Sequence, residues 1–180
     1  MRRMRGIRRA VVCVAVFCGL AIPCPVNGWR QDAGESAKSS PVEKYKSTGY
    51  VNDFAGLIDG KTQLEIEAVC NDLVEKREAE MAIVTVNSLE GMPIKEFSTE
   101  LFNKWGVGPK ETKRGVMVLL SRGDRQWRIT VGSGLETVLT EEDATKLGKE
   151  MLPILRKGEY GEALLYEAKR IRDEVVAKVK

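Results

Sequence analysis

Two pairs of glycines flanking a run of cations carry the clearest hint of chemistry in this chain. Gly106 and Gly108 precede Lys110, Lys113 and Arg114, and Gly132 and Gly134 precede Glu136. Glycines let a backbone approach a ligand closely and turn N–H groups toward an anion. Lys110 and Arg114, with the backbone at Gly132 and Gly134, are therefore the candidate anion-binding residues. Glu136 is a candidate to hold an oxygen-liganded cation or to move a proton. Each feature also has a plain structural account. Gly132-Ser133-Gly134 fits a turn out of a strand, and lysines in a loop are commonly only solvated. Trp105 and Trp127 fit core positions, and Glu141-Glu142 fits the negative first turn of a helix. Arg122-Gly123-Asp124 spells an adhesion tripeptide but is also what a hairpin turn needs.

The chain has no histidine. That excludes Ser-His-Asp and Cys-His catalysis, H-E-x-x-H zinc sites and phosphohistidine chemistry. Any reaction must run on carboxylates, Lys, Arg, Tyr, Ser or Thr. Within residues 49–180 there is neither a Cys-x5-Arg nor an Asp-x-Asp nucleophile motif.

The elements that must position these residues centre on 115–136. Residues 116–120 are an unbroken apolar run, suited to a strand buried on both faces. In 127–131, Trp, Ile and Val alternate with Arg128 and Thr130, suited to a strand with one face inward. Residues 121–125 supply the turn between them. Before this hairpin, 61–77 reads as a helix with Ile66, Val69, Cys70 and Leu73 inward and Asp59 as its cap. A buried strand follows at 81–86. Pro93 then opens a helix with Ile94, Phe97, Leu101 and Trp105 inward, ended by Gly106. After an extended piece expected at Val138-Leu139, Thr140 and Asp143 form a near capping box. That helix points Ala144, Leu147, Met151 and Leu155 inward and closes at Lys157-Gly158. A last helix spans 159–179. Residues 49–60 read as an entry segment with Asn52-Asp53 in a turn. The order is α-β-α-β-β-α-α. It predicts an α/β fold, a three-layer α/β/α sandwich with a small mixed sheet (β-α-β plus hairpin) and helices on both faces.

The rest of the chain is read by composition. Residues 1–28 hold five arginines, no acid and an apolar stretch too short to span a membrane, the pattern of a secretory signal peptide. The whole chain carries a net charge of +3, but without the leader it has 24 basic against 26 acidic residues, or −2. The basicity belongs to the leader, and no basic stripe with interleaved aromatics suggests nucleic acid. Three of the four cysteines lie in the leader. Cys70 alone remains, so no internal disulfide is expected, and its helical spacing marks it as a core thiol. Residues 29–48 are polar and read as a disordered tether, leaving 49–180 as the domain.

The domain resembles the TPM-domain family in eight pieces that come in that family's order. They are Val51-Asn52-Asp53-Phe54-Ala55-Gly56-Leu57, the strand at 81–86, Leu101-Phe102-Asn103-Lys104-Trp105-Gly106-Val107-Gly108, residues 115–120, Asp124-Arg125 with Arg128-Ile129, Gly132-Ser133-Gly134-Leu135-Glu136, Leu139-Thr140, and Gly158-Glu159-Tyr160-Gly161. The resemblance implies an α/β/α sandwich outside the cytoplasm, periplasmic or extracellular. It also implies acid-phosphatase activity, binding of divalent cations such as calcium, or a role in assembling or repairing membrane complexes. Carried over by position, Asp53, Trp105, Gly134 and Glu136 are its site candidates, with Arg125 structural. Lys113-Arg114 stands where the family usually shows a polar Asn or Asp pair, and Glu141 where it usually shows Asp.

Two functions follow. In one, the domain docks on a membrane-protein complex and its cleft holds a peptide or carboxylate. In the other, it is a metal-assisted acid phosphatase acting on a phosphorylated small molecule. Asp53 and Glu136 would then hold a calcium or magnesium ion or serve as the catalytic carboxylates, and Lys110 or Arg114 would clamp the phosphate. No organic cofactor is implied.

Overall fold

A computed structural model describes residues 40–179. The expected leader, residues 1–28, lies outside the described residues. The chain runs through β1 (Val51–Asp53), α1 (Gly60–Arg77), β2 (Glu80–Val86), α2 (Ile94–Trp105), β3 (Gly115–Ser121), β4 (Gln126–Val131), α3 (Glu141–Glu150), α4 (Leu152–Leu155) and α5 (Tyr160–Lys178). The strands lie in the order β1-β2-β3-β4. β1, β2 and β3 are parallel, and β4 returns antiparallel to β3. β2 and β3 occupy the centre because nearly every residue in them is apolar, and both faces are covered.

Alternation along these strands sorts the core into two layers. Met81, Ile83, Val116, Val118 and Ile129 face α1, α3 and α5. Val84, Val86, Met117 and Leu119 face Phe97 and Leu101 of α2. The expected three-layer α/β/α sandwich with a mixed sheet is what the chain forms. The crossovers through α1 and α2 step the same way across the sheet on opposite faces. They therefore have opposite hands, and only one has the right-handed sense nearly universal for such units.

Local signals set the helix ends. The Asp59 carboxylate accepts from the N–H groups of Lys61 and Thr62, and Gly106 ends α2 in the left-handed region at φ 63°. Thr140 and Asp143 complete the capping box of α3.

Four expectations are corrected. Asn52-Asp53 lies in strand β1 rather than in a turn. Asn52 is buried with its amide bonded to Thr48 and Gly49, so its polarity is satisfied without a turn. Of the expected tether, 29–48, the described part from Ser40 on is ordered, and 29–39 lie outside the described residues. Pro41–Lys44 forms a 3-10 turn whose Val42 is buried, and the Tyr45 ring beside it meets Phe54 at a tilt and Phe97 edge-on. The helix expected to continue through Leu155 breaks at Met151, and the single turn of α4 carries Pro153 near its start. Val138-Leu139 is not extended; the chain folds through successive turns from Ser133 to Val138 and buries Leu139.

Candidate functional site

The loop at 106–114 and the exit at 132–136 meet at the end of the sheet where β2 and β3 begin and β4 stops. Backbone hydrogen bonds stitch them together. Gly132 N–H donates to the Gly115 carbonyl at 2.7 Å, Gly134 N–H to Lys113 at 3.1 Å, and Glu80 N–H to Arg114 at 2.9 Å. The Glu80 carboxylate accepts from Gly108 N–H at 3.0 Å. The glycines serve this close approach. A Cβ on Gly134 would lie 1.9 Å from the Thr112 carbonyl oxygen, and one on Gly132 would lie 2.4 Å from that of Lys113. They bring backbone to backbone.

Beside this knot a cleft of about 930 Å³ opens along the outer side of β4, between α2 and the start of α3. Thr99, Phe102 and Asn103 wall it on one side, and Leu139, Thr140 and Ala144 on the other; residues 128–132 run along it. Lys110, Lys113 and Glu136 stand at the knot end, all three exposed. Among the described residues none of the three has an ion-pair partner. Arg128 Nη2 donates to Glu141 Oε1 at 3.0 Å. That hydrogen bond, the Arg128 charge and the charge of Lys95 hold the Glu141 carboxyl below its ordinary range. Arg128 Nε and Thr112 Oγ1 are buried with no partner among the described residues.

The structure thus gathers Lys110, Gly132 and Glu136 at one cleft and leaves other candidates elsewhere. Arg114 turns away, its Nη1 donating to the Arg77 carbonyl at 3.2 Å at the end of α1. Gly134 packs under Thr112 and does not line the cleft. Trp105 is half-buried, and its Nε1 donates to the Tyr45 carbonyl at 3.3 Å. Arg125 is exposed in the hairpin turn, away from the cleft.

Asp53 sits at the opposite end of the sheet. It pairs with Thr85, whereas Glu80, five residues earlier in β2, pairs with the Gly115 that bonds Gly132. At about 3.3 Å per residue that is roughly 16 Å along the strands, with β2 and β3 intervening. Asp53 is occupied there. Its carboxylate accepts from the N–H groups of Leu57 at 3.0 Å and Ile58 at 2.9 Å and from the Thr85 hydroxyl. It is a clasp on the β1–α1 loop, and it cannot act jointly with Glu136.

That separation bears on the divalent cation the resemblance implies. Oxygen-ligand sites need several converging carboxylates or carbonyls. Among the described residues no three His, Cys, Asp or Glu side chains converge in this way. In the cleft Glu141 is engaged by Arg128, and Glu136 shares its end with two lysines. Among the described residues, the cleft acids by themselves do not make such a set.

Two features of the cleft are not assigned by sequence reasoning: the Arg128–Glu141 pair and the open side of β4. The signal for both is the polar alternation of 126–130, which marks a strand at the border of a sheet and leaves Arg128 free of the core.

Comparison with known proteins agrees with this fold. Chloroplastic UPF0603 proteins of Oryza sativa subsp. japonica and of Arabidopsis thaliana are each 26% identical over 124 residues, or 68% of this chain. The match spans 42% and 44% of those relatives, so the chain covers less than half of their length. Among solved structures, the N-terminal domain of a protein from P. gingivalis superposes with a TM-score of 0.68 at 25% identity, covering 74% of this chain and 85% of that one. The BA42 protein of Bizionia argentinensis superposes at 0.60 with 10% identity, covering 68% and 83%. The TPM domain profile matches residues 51–174, from the first residue of β1 into α5, and on that match the chain belongs to the TPM domain family.

Proposed function

We propose that the domain is a binding module that works beyond the membrane it is exported across. Its cleft holds an anionic group, a carboxylate or peptide of a membrane-protein complex, without turning it over. One observation carries this reading. Lys110 and Lys113 border the cleft with no ion-pair partner among the described residues, while Glu141 is held by Arg128 and no three acids among the described residues converge as a cation cage. A phosphomonoesterase needs an activated nucleophile or a metal-bound one, and Glu136 alone supplies neither. The leader pattern of 1–28 and the chloroplastic names of the plant relatives support a site of action reached by crossing a membrane.

The test uses the full chain. Acetate and inorganic phosphate are titrated while backbone amides are followed by NMR. Hydrolysis of p-nitrophenyl phosphate is measured from acid to neutral pH with chelator, calcium, magnesium or manganese, beside Glu136→Gln. The expected result is shifts at the cleft that disappear in Lys110→Glu/Lys113→Glu, with no hydrolysis above the Glu136→Gln baseline. Metal-dependent hydrolysis that vanishes in Glu136→Gln would replace this reading with metal-assisted phosphomonoester hydrolysis. An absence of any cleft shift would overturn it outright.

A further inference from the structure

β4 is the last strand of the sheet, and nothing pairs with its outer side among the described residues. Its register shows which backbone groups are left open. In an antiparallel ladder, residues alternate between bonding the neighbour and facing away. Gly132 bonds Gly115, so Thr130 and Arg128, opposite Met117 and Leu119, also bond β3. The N–H and C=O groups of Trp127, Ile129 and Val131 then point outward.

Burial supports this independently. Ile129 is only 5% exposed and packs in the core, yet it lines the cleft. What it presents there is main chain. The cleft floor thus carries the unpaired peptide groups of Ile129 and Val131, about 7 Å apart at about 3.3 Å per residue, and Trp127 continues the open edge beyond the cleft. Natural sheets blunt such an edge or use it to receive another strand. Here α2 and the start of α3 stand on either side and leave it open between them.

The cations indicate the occupant. Lys110 and Lys113 outnumber Glu136 at one end of this edge, and Arg128 lies along it with Nε buried and unpartnered among the described residues. The Arg128–Glu141 pair, with Glu141 73% exposed, is a weak, solvent-screened one. It yields Arg128 to an incoming carboxylate at little cost.

We infer that the cleft receives an extended acidic segment of a partner protein, which pairs with the open edge of β4 as a fifth strand while its carboxylates meet Lys110, Lys113 and Arg128. This rests on the binding reading above and adds the form of the ligand.

A peptide-display library is selected against the immobilised full chain, and recovered acidic peptides are synthesised in three forms: unmodified, and N-methylated at odd or at even positions. Only alternate peptide N–H groups can face β4. One methylated series should therefore lose binding by about tenfold or more, as loss of two or three hydrogen bonds does, and the other should keep it. The unmodified peptide should slow hydrogen exchange at the amides of Ile129 and Val131, and Lys110→Glu/Lys113→Glu should weaken it. Peptides that need the lysines but bind equally in both methylated series, with exchange at 129 and 131 unchanged, overturn strand addition and leave the binding reading intact. Cleft shifts with acetate or phosphate but no lysine-dependent peptide do the same. Loss of both the small-anion shifts and the peptides overturns the two together.

Discussion

Glu167 makes the stability of this domain fall as pH rises through the weakly acidic range. It lies on α5 fully buried, and neither carboxylate oxygen has a hydrogen-bond partner among the described residues. Burial pushes its carboxyl up to about 7; the charge of Glu150 at the end of α3 adds to this, and that of Arg170 opposes it. Below an ordinary glutamate value of 4.5, Glu167 is protonated in both folded and unfolded chains and adds no pH dependence. Between there and about pH 7 the unfolded chain releases its proton first, and the folded state loses about 1.36 kcal/mol per pH unit. Above pH 7 the full penalty, about 3 kcal/mol, is in place. Glu167→Gln keeps the shape and removes the titration. Its own unpaired amide has a cost, but that cost does not change with pH. The measurement is urea unfolding of both proteins at intervals from pH 4 to 8. The gap in unfolding free energy should move by about 3 kcal/mol in favour of the variant across the range. A gap that stays constant, or moves the other way, would refute the placement of Glu167 as a buried acid without a partner.

Three further outcomes are expected. Gly148→Ala, which in an ordinary helix would stabilise by up to about 1 kcal/mol, should here destabilise by about 1–3 kcal/mol, because its Cβ would fall 2.0 Å from the Trp127 ring; thermal melts with tryptophan fluorescence measure it. Asp53→Ala should cost about 1–3 kcal/mol by stranding the N–H groups of Leu57 and Ile58 and the Thr85 hydroxyl, yet leave the acetate-induced shifts in the cleft unchanged. Loss of those shifts in a folded variant would return Asp53 to the site. Cys70 should resist thiol reagents at neutral pH until urea unfolds the domain, since burial pushes its thiol up to about 12.

Much of this architecture is legible in the order of residues because the signals are local. A capping carboxylate, a helical stripe, a doubly buried strand and a hairpin turn each depend on neighbours within a few positions. Hence Asp59, Thr140 with Asp143, and the runs at 81–86 and 116–120 stand where the pattern puts them. The same locality makes Cys70 a core residue.

What the pattern cannot carry is any relation set across the sheet. β1 is three residues long and holds Asn and Asp, so no periodicity marks it as a strand; it becomes one because Val51–Asp53 registers against Ile83, Val84 and Thr85. Val42 and Tyr45 sit in a polar stretch and are core only because α2 and Phe54 offer them a surface. Lys113 and Arg114 are adjacent, yet one borders the cleft and the other reaches the end of α1, because the chain turns at Lys113, whose φ of 51° lies in the left-handed region. Asp53 and Glu136 are both conspicuous acids in sequence. Three parallel strands followed by one antiparallel return send them to opposite ends of the sheet, and the same return leaves the edge of β4 open. Strand direction and order arise from contacts between residues far apart in the chain, so only the tertiary structure decides which side chains share a site.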